Sequence, residues 1–119
     1  MNIVKTMPEN LTANKKVMYV LTKGQSTMAK TIDERQKLTP IAWCEFIDTD
    51  KDGKENNVLS ILTEECGVVS TISGTFRREF YYMAEMFAGE KFSFRVVHGS
   101  TKAGREFTSC TLYIEEVNN

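Results

Sequence analysis

The chain has few of the residues that most catalytic and metal sites need. It contains one histidine, His98, and three cysteines among 119 residues. A serine or cysteine nucleophile normally works with a nearby base, and zinc sites use cysteine and histidine at short spacing. The sequence has no C-x-x-C pair, no G-x-S-x-G motif and no glycine pattern of a phosphate-binding loop. These absences favour a protein that is not an enzyme and that uses no cofactor or metal.

Long hydrophobic runs and a strong net charge are also missing. No stretch approaches the roughly 18 apolar residues of a membrane-spanning helix, and the first residues lack the apolar core of a signal peptide. The formal net charge is -1, so the molecule is not a polycation that would coat any polyanion. The cysteines cannot all pair with one another, and small buried thiols are typical of a reducing compartment. We expect a soluble intracellular protein with no membrane partner, in which anions bind only to a local patch.

Length and composition predict a single folded domain. A chain of this size, 41% hydrophobic and 26% charged, supports one hydrophobic core and not two. Residues 1–14 are polar and contain Pro8, so we expect a leader with little structure of its own. Residues 15–119 are expected to form the domain.

The first half of that domain predicts strands. Residues 16–22 hold a continuous apolar run of strand length, and residues 23–29 read as a loop. Residues 31–38 predict one or two helical turns, because Pro40 limits them. In the next segment Trp43 and Glu45 point one way, while Cys44 points the other. A turn over residues 48–57 and a hairpin of residues 58–63 and 68–73 follow.

A helix and a second hairpin make up the last third. Four apolar residues recur at helical spacing and predict one buried stripe: Phe76, Phe80, Met83 and Phe87. Ser73 or Thr75 can cap the start of this helix, and Gly89 can supply the left-handed residue that ends it. The resulting order is β-β-β-α-β-β. This is the connectivity of an oligonucleotide-binding (OB) barrel, so we expect a mainly β, OB-like barrel of five to six strands with one amphipathic helix between strands three and four.

The final hairpin carries aromatic and basic residues on a face that should not be core. In its second strand, Cys110 and Leu112 belong to the more apolar set, which leaves Phe107 and Tyr113 on the other face. Its turn holds two cations, Lys102 and Arg105, beside two glycines. Binding sites for single-stranded nucleic acid combine aromatic rings that stack on the bases with cations that attract the phosphates.

The sequence therefore predicts a binding site for single-stranded DNA. Its candidate residues are Trp43, Lys51, Lys54, Arg95, Lys102, Arg105, Phe107 and Tyr113. Other roles stay open for each group. Trp43 also suits the core, Phe107 and Tyr113 also suit contact with the helix or a subunit interface, and the lysines and arginines also suit solvated turns.

Several segments resemble small single-stranded DNA-binding proteins of bacteriophages. They are Ile61-Leu62-Thr63, Val69-Ser70-Thr71-Ile72-Ser73, Thr75-Phe76-Arg77-Arg78-Glu79-Phe80 and Gly99-Ser100-Thr101-Lys102-Ala103-Gly104-Arg105-Glu106-Phe107. The similarity covers about residues 43 to 112. It implies an OB-type fold and the coating of single strands during phage DNA replication or recombination in the host bacterial cytoplasm, with replication proteins as further partners.

Two other functions fit the same sequence. The alternative is a protein-interaction module, such as a phage inhibitor of a host protein or a small structural component, because small β-rich domains serve many functions. Tyr81 and Tyr82 cannot both join the helical stripe, so one of them suits a contact between copies of the chain. A small-molecule binder would instead need a deep closed pocket.

Overall fold

A computed structural model describes residues 2–115 of the chain. In these residues the fold is mainly β with two α-helices. The strands are β1 (Asn2–Met7), β2 (Thr27–Met28), β3 (Pro40–Thr49), β4 (Glu55–Thr63), β5 (Gly67–Thr71), β6 (Phe94–Ser100) and β7 (Glu106–Leu112). The helices are α1 (Lys15–Thr22) and α2 (Gly74–Met86), and Glu9–Ala13 and Ala29–Thr31 form 3₁₀ turns. Met1 and residues 116–119, parts of the expected leader and domain, lie outside the described residues.

The described strands form two separate sheets. The larger sheet has the order β1-β3-β4-β5-β2, and β6 pairs with β7 in a two-stranded sheet. All neighbouring pairs are antiparallel except β2 with β5. The order β-β-β-α-β-β is present from β3 to β7, as the sequence predicts. The two sheets are not closed into a barrel within residues 2–115, so the expected OB-like barrel is not confirmed.

Helix α2 forms where the aromatic stripe predicts it. The Ser73 hydroxyl accepts the N–H of Phe76 at 3.1 Å and caps the first turn. Phe76 and Phe80 are fully buried. The helix ends at Met86, and Gly89 follows in the left-handed region with φ of 80°. The stripe packs this helix between one face of the larger sheet and the inner face of the β6–β7 hairpin.

The prediction of a strand over residues 16–22 is wrong. The side chain of Asn14 accepts the N–H of Val17 at 3.2 Å and starts helix α1 there. Helical spacing points Leu21 into a second buried cluster, which includes Cys44 and Phe46 of β3, while Tyr19 stays 65% exposed. A continuous apolar run of this length suits either element, and here the cap and the packing against β3 decide. Helix α1 thus covers the sheet face opposite α2.

The expectation of an unstructured leader is also wrong for residues 2–13. Residues 2–7 form β1, which pairs antiparallel with β3, with Thr6 opposite Cys44 and Met7 opposite Trp43. The pairing joins segments far apart in the chain, so no local pattern announces it. In residues 31–38 the helical turns are likewise not formed beyond the short 3₁₀ turn at Ala29–Thr31.

A hydrogen-bonded joint connects the two sheets at Thr39. Its N–H and hydroxyl both donate to the carboxylate of Glu65, at 2.6 and 2.7 Å. Because the Thr39 proton goes to the carboxylate, the hydroxyl of Ser93, 2.7 Å away, donates to Thr39. Next to this joint, Leu38 exchanges backbone hydrogen bonds of 3.0 and 2.8 Å with Phe94. The start of β3, the β4–β5 turn and the start of β6 therefore meet at one buried threonine.

Candidate nucleic-acid interface

The β6–β7 hairpin has one packed face and one open face. On the packed side, Phe94, Val96 and Cys110 are buried against α2. Strand alternation places the other set outward, with Arg95 opposite Thr111 and Gly99 opposite Phe107. We call this set the hairpin outer face; it consists of Arg95, Val97, Gly99, Phe107, Ser109 and Thr111. Phe107 and Thr111 are exposed, whereas Ser109 is buried.

Phe107 occupies a place on this face that a glycine leaves open. A Cβ atom added at Gly99 would clash with Cζ of the Phe107 ring, so no larger residue fits beneath the ring as it stands. The end of the ring rests against the Gly99 backbone, yet Phe107 keeps 39% of its surface exposed. The hairpin therefore presents a supported aromatic ring to solvent.

The turn next to Phe107 carries Lys102 and Arg105, both exposed. Backbone groups fix the turn, because Thr101 N–H donates to the Arg105 carbonyl at 2.8 Å and Arg105 N–H donates to the Thr101 hydroxyl at 3.1 Å. Gly104 takes the left-handed conformation with φ of 83°. Neither cation takes part in an ion pair among residues 2–115. The turn is ordered while its charged side chains remain available.

Arg95 lies on the same outer face but is not free. One of its guanidinium nitrogens lies 3.3 Å from Oε1 of Glu34, and about two fifths of each side chain is exposed. Glu34 comes from the segment between β2 and β3, which lies along the edge of β6. The sequence does not reveal this ion pair, since the two residues are distant in the chain.

Tyr113 follows directly after β7 and is half-buried. Its N–H donates to the Ser93 carbonyl at 2.9 Å. The ammonium of Lys37 lies 5.9 Å from the centre of the Tyr113 ring and 2.7 Å from a carboxylate oxygen of Glu115. The hydrogen bond that Lys37 donates to Glu115 raises the pKa of Lys37. Lys37 is thus a further cation close to a candidate aromatic residue, and residue patterns alone did not suggest it.

Trp43 does not belong to the surface. It is 7% exposed and packs edge-on against Phe80, with ring centres 5.0 Å apart. No base can stack on a ring that the core covers in this way. The expectation that Trp43 is a stacking platform is therefore corrected: β3 is covered by α2 on the Trp43 side and by α1 on the Cys44 side, so alternation separates two buried faces and not a core from a surface.

Lys51 and Lys54 lie on the turn between β3 and β4, in the other sheet. Both are exposed, and the carboxylate of Asp50 organises the turn by accepting the N–H groups of Asp52 and Lys54 at 2.9 Å. No hydrogen bond or ion pair within the described residues joins this turn to the hairpin. Five of the eight candidate residues belong to the hairpin or its end: Arg95, Lys102, Arg105, Phe107 and Tyr113.

A polar cluster of a different kind lies under α2. The buried carboxylate of Glu45 accepts the hydroxyl of Tyr81 at 2.6 Å and the side-chain amide of Asn57 at 2.8 Å. Burial, then the hydrogen bond to Glu45, raises the pKa of Tyr81 well above its usual value. Lys5 of β1 places its ammonium 4.6 Å from the centre of the Tyr81 ring. These contacts bind β1 and α2 to the sheet, so the cluster has a structural role.

His98 contacts a backbone carbonyl through its ring. Its Nε2 lies 2.7 Å from the Ile32 carbonyl, at an open cleft of about 480 Å³ lined by residues 30–35 and His98. Residues 2–115 contain no group of three or more histidine, cysteine or acidic side chains arranged to hold a metal ion. No described helix has the length and apolar character needed to cross a bilayer.

Comparison with known proteins finds no family model, no curated protein and no solved structure that matches this chain. The similarity to phage single-stranded DNA-binding proteins therefore rests on the sequence segments alone. The function has to be argued from the hairpin itself.

Proposed function

We propose that this protein binds single-stranded DNA, without catalysis and with low sequence specificity, on the hairpin outer face and its turn. The observation that carries the proposal is the supported, exposed ring of Phe107 next to Lys102 and Arg105, which form no ion pair within residues 2–115. Stacking of a base on such a ring contributes about 1 to 3 kcal/mol, and the cations attract the phosphates on either side.

The dimensions of the hairpin suit this mode of binding. A strand rises about 3.3 Å per residue, so the outer face from Arg95 to Gly99 extends for about 13 Å before the turn begins. Phe107 lies at the turn end of this face and Arg95 at the other. Tyr113 and Lys37 add an aromatic ring and a cation beyond Arg95. A strand of DNA lying along the face meets cations at both ends, and a closed OB-like barrel is not required for this contact.

The proposed biological role follows the resemblance of the sequence segments. It is the coating of single strands during phage DNA replication or recombination in the host bacterial cytoplasm, alongside replication proteins. Low specificity is expected because the outer face offers stacking and charge, and neither distinguishes one base strongly from another.

The test compares the two basic turns of the molecule. The variant Lys102→Ala with Arg105→Ala removes two cations from the hairpin, and Lys51→Ala with Lys54→Ala removes two from the β3–β4 turn as a matched control. Fluorescence anisotropy of a labelled oligonucleotide, measured over a range of salt concentrations, gives the slope of log K against log salt. Each phosphate contact to single strands contributes about 0.7 to this slope.

We expect the hairpin variant to flatten the slope by up to about 1.4 and to weaken binding at low salt. The control variant should keep the slope of the wild type. Absence of wild-type binding at low salt would overturn the proposal. Equal losses in the two variants would show that the charge of the whole molecule, and not the hairpin, attracts DNA.

A second candidate function, a protein-interaction module, is favoured by one observation on α2. Tyr82 and Met86 are one helical turn apart on the solvent side and are 63% and 60% exposed. An apolar pair on an exposed helix suits a partner protein or a second copy of the chain. If Tyr82→Ser with Met86→Ser abolishes self-association measured by light scattering while DNA binding is unchanged, the helix is an interface in addition to the hairpin site.

A further inference from the structure

Glu34 makes two contacts with β6, and both concern the proposed DNA-binding face. Its Oε1 lies 3.3 Å from the guanidinium of Arg95, and its Oε2 accepts the backbone N–H of His98 at 3.3 Å. The carboxylate therefore joins the side chain of Arg95 to the backbone of His98, three residues further along β6. It neutralises the one cation that the hairpin outer face carries in its strands.

The segment that carries Glu34 is held in place by other groups. At one end, Ile32 is buried and its carbonyl lies 2.7 Å from Nε2 of His98. At the other end, Leu38 is fully buried and exchanges two backbone hydrogen bonds with Phe94. Because both ends are anchored without the Glu34 carboxylate, removal of its charge should leave the segment where it is.

We infer that Glu34 restrains Arg95 and weakens the grip of the hairpin on the phosphate backbone. This inference rests on the proposed function. A phosphate that approaches Arg95 has to displace a carboxylate already 3.3 Å away. The loss of the Glu34–Arg95 ion pair therefore offsets part of the attraction between Arg95 and the phosphate. The partly exposed pair is weak enough for exchange, since such pairs contribute between about 0.2 and 1 kcal/mol. Glu34 thus lowers the affinity for any polyanion.

The test is Glu34→Gln, which removes the charge and keeps an oxygen that can accept the His98 N–H. With a labelled single-stranded oligonucleotide, binding at low salt should tighten by up to about fivefold. The slope of log K against log salt should become steeper by about 0.7, the value for one additional phosphate contact on a single strand. A purely structural ion pair would change neither quantity in this direction.

Arg95→Gln, alone and together with Glu34→Gln, completes a double-mutant cycle. In the wild-type background it should weaken binding, because it leaves the Glu34 carboxylate without its partner beside the outer face, whereas in the Glu34→Gln background it should remove the whole gain. The matched charge control is Glu85→Gln, which removes an exposed carboxylate on α2 that makes no ion pair in the described residues. Circular dichroism of each variant checks that the fold is kept.

The outcomes separate this inference from the proposed function. If the wild type binds single strands and Glu34→Gln binds with the same affinity and slope, the restraint is overturned and the function stands. If Glu85→Gln gives the same gain as Glu34→Gln, net charge explains the effect and the restraint is overturned as well. If neither the wild type nor Glu34→Gln binds at low salt, both ideas fail.

Discussion

The five-stranded sheet and the β6–β7 hairpin differ in how many of their faces are covered. In the sheet, β3 has α2 on one face and α1 on the other, so neighbouring residues such as Trp43 and Cys44 are both buried. In the hairpin only the inner face packs against α2, and the outer face keeps exposed residues such as Phe107 and Thr111. The side chains of β3 are therefore committed to stability, whereas the exposed residues of the hairpin outer face are available to a ligand.

The largest effect expected from this difference concerns two phenylalanines. Phe80 is fully buried and its ring meets those of Trp43, Phe92 and Phe94. We expect Phe80→Ala to lower the free energy of unfolding by about 3 to 5 kcal/mol, because it leaves a cavity in the core. Phe107→Ala should cost about 1 kcal/mol, because its ring is already partly in water. Urea denaturation followed by circular dichroism measures both, and similar losses would contradict the division between the two regions.

A smaller effect is expected at the joint between the regions. Thr39→Val keeps the shape of the side chain but removes the hydroxyl that connects Ser93 to Glu65. We expect it to lower the free energy of unfolding by about 1 kcal/mol at neutral pH. No measurable loss would mean that the two sheets are held together by the core alone.

The same joint should respond to acid. Burial raises the pKa of Glu65, but the hydrogen bonds from Thr39 outweigh it and hold the pKa below its usual value. A lowered folded pKa adds stability that is complete above the ordinary glutamate pKa and is lost as the pH falls through the lowered value. The difference in stability between wild type and Thr39→Val should therefore be constant above about pH 5 and shrink below about pH 4. A difference that grows in acid would contradict this.

The smallest expected effect is in thiol reactivity. Burial raises the pKa of Cys44, in the sheet, to about 11 and that of Cys110, in the hairpin, to about 12. Cys66 is half-buried in the β4–β5 turn. Because the thiolate is the reactive form, a chromogenic disulfide reagent at neutral pH should modify Cys66 first and the other two only on unfolding. Reaction of Cys110 ahead of Cys44 would show that the hairpin opens from α2 before the sheet unfolds.

Local patterns predicted the elements whose causes are local. The spacing of Phe76, Phe80 and Met83 and the cap at Ser73 predict α2, and both are confirmed. The hairpins β4–β5 and β6–β7 are confirmed as well. They could be predicted because their turns are short and contain glycine. For α1 the local signal was ambiguous, since its apolar run suits a strand or a helix. The Asn14 cap was the available clue.

Long-range contacts explain the remaining differences. The pairing of β1 with β3 and the ion pair of Glu34 with Arg95 join segments that no periodicity connects. The prediction that Trp43 is a stacking platform at the surface was wrong for a related reason. Alternation along β3 does not tell whether a helix covers the second face of the strand. Of the candidate site, the hairpin residues share one element and could be grouped from the sequence, while the place of Lys51 and Lys54 depends on how the two sheets are arranged.

The buried position of the single tryptophan also has an optical consequence. The buried indole of Trp43 packs against the ring of Phe80, and its Nε1 has no hydrogen-bond partner among the described atoms. Its emission should therefore be that of an indole shielded from water, shifting to longer wavelength as the chain unfolds. Since Trp43 does not belong to the hairpin outer face, a ligand bound to that face should leave the tryptophan emission nearly unchanged. The emission of Trp43 then reports whether the protein is folded, and a label on the DNA reports whether DNA is bound.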